Sequence, residues 1–230
     1  MCGRFALKKA HLAQIARQAA AMVGEHVPPG SRYNIPPGVR IAVIRNRAAA
    51  GGRELTDLHW GLTPAWTGPD ARPVTNARAE TAADKPTFRE AIRRRRCLIP
   101  ATAFYEWTAG VGARRPWAFL APDGEPFCLG GLWEDDACAV VTTAANTVMA
   151  PVHHRMPVLL APGDYDAWLD PRSDLSTTAL TSLLQPAPAG RLIARPVSTR
   201  INAVRNDDEA CLAEAAHAEA EPDAQLELGW

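Results

Sequence analysis

The chain has 230 residues, 47% hydrophobic and 22% charged, enough to bury a core in one domain or at most two small ones. Twenty prolines point to a loop-rich, turn-rich chain more than to a helical bundle. The net charge of zero hides an asymmetry: residues 1–120 hold 19 Lys and Arg against 8 Asp and Glu, and residues 121–230 hold 6 against 17. That split fits a polyanion-binding first half, and equally two halves that attract each other in the fold.

Residues 9–23 read as a helix, with Leu12, Ile15, Ala19 and Met22 at helical spacing and Gly24 to end it. Residues 25–38 read as a Pro/Gly loop. Val39–Arg45 alternates as a strand with Ile41, Val43 and Arg45 on one face, and Ala48–Gly52 reads as a hairpin loop. Trp60–Thr81 has no clear period and reads as a surface segment. Pro86 opens a helix to about Arg95, with Phe88 and Ile92 inward. Cys97–Pro100, Trp117–Leu120, Phe127–Trp133 and Ala137–Thr143 read as strands, Asp164–Leu169 as a short capped helix and Thr177–Leu184 as another. Residues 1–210 form one domain, and 211–230 an Ala/Glu-rich acidic tail. Short helices among many short strands predict an α+β fold, with a strongly bent, barrel-like mixed or antiparallel sheet.

The five cysteines (2, 97, 128, 138 and 211) include no C-x-x-C pair, which argues against a structural zinc site or a disulfide framework. No signal-peptide pattern follows Met1, and no apolar run approaches membrane-spanning length. The reading is a soluble cytoplasmic monomer, nucleoid-associated in a bacterial cell, that uses no cofactor and no metal.

Cys2 is small enough for Met1 to be removed, which would leave a 1,2-aminothiol at the terminus. An α-amine titrates near 7.7–8.0 and a free thiol near 8.5, so both are partly nucleophilic at neutral pH. An aldehyde would condense with the amine, and the thiol would close a thiazolidine. Alternatively the thiol attacks an acyl group with the amine as base. Arg4 lies within reach as a phosphate ligand. In Trp60-Gly-Leu-Thr-Pro-Ala-Trp66, Trp60 follows a strand and reads as core, whereas Trp66 sits in the loop and can stack or wedge. Asn76, Arg78 and Glu80 alternate, and in an extended segment share a face. The run Arg93–Arg96 suits a helix C-terminus, with Arg94 or Arg96 also open to phosphate. Glu106, among Phe104, Tyr105 and Trp107, sits where aromatic enclosure favours a general acid. Adjacent His153 and His154 face opposite sides of a strand, so one can do acid–base work while the pair does not ligate one metal.

Met-Cys-Gly-Arg-Phe, Trp-Gly-Leu-x-Pro-x-Trp, Asn-Ala-Arg-Ala-Glu-Thr, Arg-Cys-Leu-Ile-Pro-Ala-x-x-Phe-Tyr-Glu-Trp and His-x-Arg-Met-Pro stand in the order found in the SOS response-associated peptidase (SRAP) family. The chain resembles that family from residue 1 to about 210. The resemblance implies that Cys2 crosslinks to abasic sites in single-stranded DNA, including single-strand/double-strand junctions, with possible autoproteolysis at Met1 and weak lyase activity. It implies that Asn76 orients the sugar, that Glu106 and His153 do acid–base work, that Arg4, Arg78 and Arg155 contact phosphate, and that Trp66 wedges beside the lesion. Two positions depart from the family: His154, where Asp is frequent, and Pro37 in Tyr33–Gly38. The competing readings are an amidohydrolase or peptidase with an N-terminal Cys nucleophile, and a non-covalent single-strand binding module.

Overall fold

The computed structural model describes residues 2–24, 26–46, 51–64, 66–68, 70–108, 114–172 and 178–215. A closed ring of strands forms its centre. β4 (Arg40–Asn46) pairs antiparallel with β5 (Arg53–Trp60), and also with β7 (Arg96–Ala101), which pairs with β10 (Phe127–Glu134) and that with β11 (Ala137–Ala144). β11 returns to β5 through a parallel contact, Ala137 opposite His59 and Cys138 opposite Trp60. A ring of five cannot alternate direction all the way round, so one junction must be parallel, and this is it. Closure removes the exposed edges that an open sheet would present. Gly131 on β10 allows the close approach to β7: a Cβ there would lie 2.7 Å from Cys97 Sγ and 2.8 Å from Ile99 Cδ1.

Short strands extend the ring. β2 (Ala21–Val23) lies parallel to β5, β6 (Asn76–Arg78) parallel to β11, β12 (Arg155–Pro157) antiparallel to β11, and β13 (Leu159–Leu160) on β10. A second sheet runs β14 (Ile193–Pro196), β9 (Pro116–Leu120), β8 (Ala103–Trp107), β1 (Phe5–Leu7), β3 (Arg32–Ile35). The helices α1 (Lys9–Gln18), α2 (Ala79–Ala82), α3 (Arg89–Arg94), α4 (Tyr165–Leu169) and α5 (Thr178–Leu183) are short and peripheral. The fold is a mixed α+β domain with a strongly curled sheet, as expected. The main core includes Phe5, Trp60, Phe104 and Trp168. A smaller cluster, with Tyr105, Ile201 and Cys211, covers the outer face of the second sheet.

Several local expectations change. The first helix ends at Gln18: Ala20 takes φ +49°, and residues 21–23 join β5 instead, leaving Met22 exposed. Pairing to an existing strand outweighs helical spacing, a weak preference by comparison. β3 occupies part of the expected 25–38 loop, because its backbone pairs with β1. β4 does not alternate, since Ile41, Ala42, Val43 and Ile44 are all buried and both faces of the strand are covered. β6 and α2 lie inside the segment read as irregular, and the helix after Pro86 begins only at Arg89. Asp164 does not cap α4; its carboxylate accepts from Ala161 N–H instead. The hairpin at 48–52 lies largely outside the described residues, though Asn46 opposite Arg53 fixes its ends. Residues 216–230 of the expected tail also lie outside them. Packing continues past position 210, for Cys211 and Leu212 are buried and Ala215 N–H donates to Pro196. Among the described residues, no helix is long and apolar enough to cross a membrane.

Candidate active site around Cys2

Cys2 leads into β1, and β1 is clamped antiparallel to β8 with Phe5 opposite Phe104 and Ala6 opposite Ala103. Tyr105 N–H donates to Arg4 C=O at 2.9 Å, so the register continues toward Glu106 as β1 runs back toward Cys2. The terminus, ordinarily the loosest part of a chain, is thereby held in the sheet. Cys2 is fully buried, and Glu106 is buried on the neighbouring strand. Burial pushes the Cys2 thiol well above its usual value, and the nearby Glu106 carboxylate adds to the rise. The nearby amino terminus opposes this rise. The rise describes the thiol with Met1 in place, whereas the sequence expectation of a partly ionised thiol concerns the terminus once Met1 is removed.

Arg4 is positioned by Asn34, which the sequence reading notes only as part of the Tyr33–Gly38 segment and gives no role. Its Nη1 donates to Asn34 Oδ1 at 2.6 Å and to Ile201 C=O at 3.0 Å, and its guanidinium lies 5.6 Å from the Trp107 ring centroid. Asn34 is itself buried, and its Nδ2 donates to the carbonyls of Ile201, Ala203 and Asn206. Burial lowers the Arg4 pKa. A lone Asn in a Pro/Gly-rich stretch carries no sequence signal for this role, because its partners are about 170 residues away.

Trp60 ties this terminus to the second group of residues. Its ring meets Phe5 edge-on at 5.4 Å, and its Nε1–H donates to Thr75 C=O, next to Asn76. Trp60 is fully buried, as expected. Gly61 follows with φ +150°, a conformation that favours glycine, and a Cβ there would lie 2.9 Å from Pro73. The loop beyond is closed by reciprocal hydrogen bonds between Leu62 and Val74, and it presents Trp66 with 67% of its surface exposed. An exposed indole on a pinned loop is the geometry a wedge requires.

Asn76 donates through Nδ2 to Thr75 Oγ1, while its Oδ1 is buried with no hydrogen-bond partner among the described residues. Asn76 and Arg78 lie on one side of β6, with Arg78 exposed. The expected extended run through Glu80 does not hold: α2 starts at Ala79 and turns Glu80 toward Arg155. Arg155 clasps Glu80 with both Nη atoms at 2.6 and 2.9 Å and donates to Thr142 C=O at 2.6 Å. These bonds hold the Glu80 carboxyl below its usual range. Arg155 Nε is buried without an acceptor among the described residues.

His153 and His154 do not face opposite sides. They lie on a bend before β12, not in a strand, and their rings stack at 4.4 Å. Arg155 N–H donates to His153 Nδ1 at 2.9 Å. Nδ1 cannot also donate to Arg155 C=O at 3.1 Å; the backbone donor decides, which puts the proton of the neutral ring on Nε2. Among the described residues, no cluster of three His, Cys, Asp or Glu side chains could hold a metal. Arg96 proves structural. It is 3% exposed, and its guanidinium donates to the carbonyls of Ile92, Arg93, Trp168 and Asp170, which takes it off the candidate phosphate contacts.

A family model described as SOS response associated peptidase (SRAP) matches residues 1–204. The abasic site processing protein YoqW of Bacillus subtilis is 33% identical over 222 residues, 90% of this chain and 96% of its own. YedK of Escherichia coli, also named an abasic site processing protein, is 27% identical over 219 residues, 90% of this chain and 96% of its own. A crystal structure of a protein from Bacteroides thetaiotaomicron superimposes with a TM-score of 0.79 at 23% identity, covering 94% of this chain and all of that one, and so shares the fold. A match that takes in β1, the Asn76 and Glu106 strands and the His153 bend, with one-third identity across nine-tenths of the chain, shows that the protein belongs to the SOS response-associated peptidase family.

Proposed function

We propose that this protein processes abasic sites in DNA by capturing them on Cys2 once Met1 has been removed. The observation that carries the reading is Cys2, buried beside Glu106 on the clamped β1–β8 pair. The names of the relatives YoqW and YedK support abasic-site processing as the activity. An abasic site equilibrates between a closed sugar and an open-chain aldehyde. The α-amine adds to the aldehyde carbon, and loss of water gives an imine. The thiol then adds across the C=N bond: sulfur bonds to the former aldehyde carbon, its proton ends on nitrogen, and a five-membered thiazolidine closes.

In this order the amine attacks first and the thiol closes the ring. In this reading the Glu106 carboxylate takes a proton from the amine as it adds, returns it to the leaving hydroxyl, and then takes the thiol proton as sulfur bonds to carbon and passes it to nitrogen. His153, with Nε2 as the proton-bearing atom, serves ring opening and, in reverse, release. Asn76 Oδ1, a buried acceptor without a donor among the described residues, would accept from a sugar hydroxyl. Arg4 and Arg78 hold phosphates without reading sequence, Arg155 joins them where a phosphate displaces Glu80 from its Nη atoms, and Trp66 stacks at the edge of the lesion or against an adjoining duplex. The substrate is thus single-stranded DNA with an abasic site, including junctions, taken by a monomer without a cofactor.

The test is a denaturing gel of the protein mixed with single-stranded DNA containing one abasic site. A band that survives denaturation is expected. Binding seen only without denaturant would favour a non-covalent single-strand module. No binding, with cleavage of an amide or peptide substrate, would favour an N-terminal Cys hydrolase.

A further inference from the structure

The arginine run that Cys2 chemistry leaves unused lies at the other pole of the barrel. β5 runs from Arg53 to Trp60, a rise of about 23 Å at the usual spacing. Trp60 belongs to the Cys2 end. At the Arg53 end β4 finishes at Asn46, β7 begins at Arg96 and β10 finishes at Glu134. A cavity of about 620 Å³ opens there, lined chiefly by Asn46, Arg53, Arg94, Arg95 and Trp133.

Three features distinguish it from a solvated surface. Arg95 gives one Nη to Glu134 at 2.9 Å, yet its Nε is buried with no acceptor among the described residues; such a group commonly marks a missing partner. The side chains of Arg93 and Arg94 are exposed, and neither guanidinium makes a hydrogen bond or ion pair among the described residues. The residues that line the cavity include three arginines, Arg53, Arg94 and Arg95, and no carboxylate; Arg53 and Arg95 pair with Asp166 and Glu134, and Arg94 does not. Trp133 adds an aromatic wall, with the Arg45 guanidinium 4.3 Å from its ring centroid. The helix dipole accounts for Arg93 and Arg94 in the last turn of α3. It does not account for the buried Nε of Arg95, or for Arg53 arriving from a separate strand.

We propose that this cavity is a second phosphate site, which holds the phosphodiester backbone of a nucleic acid at the pole opposite Cys2. Arg94 and Arg95 meet the phosphate, the Arg95 side chain turning to bring its enclosed Nε to it, and Trp133 offers a surface to a flanking base. The inference does not depend on covalent capture, so its test uses DNA with no lesion. Affinity for a single-stranded oligonucleotide of about 30 nucleotides, well beyond a footprint of about 4–16, is measured against salt for the wild type, Arg94→Gln, and the pair Arg94→Gln with Arg95→Gln. The slope of log affinity against log salt should flatten by about 0.7 for the single variant and about 1.4 for the pair. Crosslinking of a short abasic oligonucleotide and the urea midpoint of Arg94→Gln should stay at wild-type values. Unchanged slopes in both variants overturn the proposal. If, in addition, inorganic phosphate stabilises the wild type beyond chloride at matched ionic strength, and not the double variant, the occupant is free phosphate and the nucleic-acid assignment fails.

Discussion

At the scale of single residues, Cys2 supplies two nucleophiles to one carbon, and the proposed adduct needs both. Cys2→Ala should give no denaturation-resistant band with abasic DNA. Cys2→Ser should give an imine that survives only after borohydride reduction. A stable adduct from Cys2→Ala would remove Cys2 from the mechanism. Glu106 is the buried carboxyl whose charge the Cys2 thiol feels, and acid–base assistance is commonly worth about 10²–10⁴-fold. In single-turnover crosslinking, Glu106→Gln should lose rate within that range and His153→Ala should lose less. Wild-type rates in both variants would leave proximity alone as the source of catalysis.

At the scale of elements, two buried details hold the barrel together, and neither touches the reacting atoms. Arg96 joins the C-terminal carbonyls of α3 to those of α4. Arg96→Ala would leave several buried acceptors without donors, at a cost of about 3 kcal/mol or more, read as a fall in the urea midpoint. Gly131 lets β10 lie against Cys97 and Ile99. Gly131→Ala should destabilise by about 1–3 kcal/mol through overpacking. A midpoint equal to wild type would show that β7 yields more easily than a closed ring should. The four-arginine run illustrates why position in an element matters: adjacent arginines divide into a buried structural donor, Arg96, and exposed cations, Arg93 and Arg94.

The whole molecule responds to alkaline pH through its sulfur. Cys97, Cys128 and Cys138 are buried, and burial raises all three thiols above the ordinary value of 9.0, with Cys128 and Cys138 pushed up to about 12. The unfolded chain releases these protons from about pH 9, while the folded chain keeps them, so the unfolded state binds fewer protons and stability falls as pH rises between about 9 and 12. Below about pH 8 these groups contribute no slope. Urea midpoints at about pH 7.5, 9 and 10.5 should be level and then decline; a flat series would mean that the thiols ionise in place. The zero net charge, by contrast, is an average over a basic first half and an acidic second half, and several cross-half ion pairs form, such as Arg155 with Glu80, Arg32 with Asp207 and Arg40 with Asp136.

The residues by themselves determined much of this protein. Strand-like runs at 97–100, 117–120, 127–133 and 137–143 were legible, because apolar and β-branched residues between turn signals specify local structure directly. Five ordered motifs identified the family and put Cys2, Asn76, Glu106 and His153 forward together. Tertiary structure decided the rest. Whether Met22 ends a helix or joins β5, whether Arg96 faces solvent or four carbonyls, and whether Asn34 is loop or anchor for Arg4 depend on partners far along the chain. The ionisation of the Cys2 thiol follows the same rule: its chemistry is written at position 2, but burial and a carboxylate more than 100 residues away raise its pKa against the pull of the amino terminus. Hydrogen bonds, burial and charge act across space, and the sequence records only the groups that can take part.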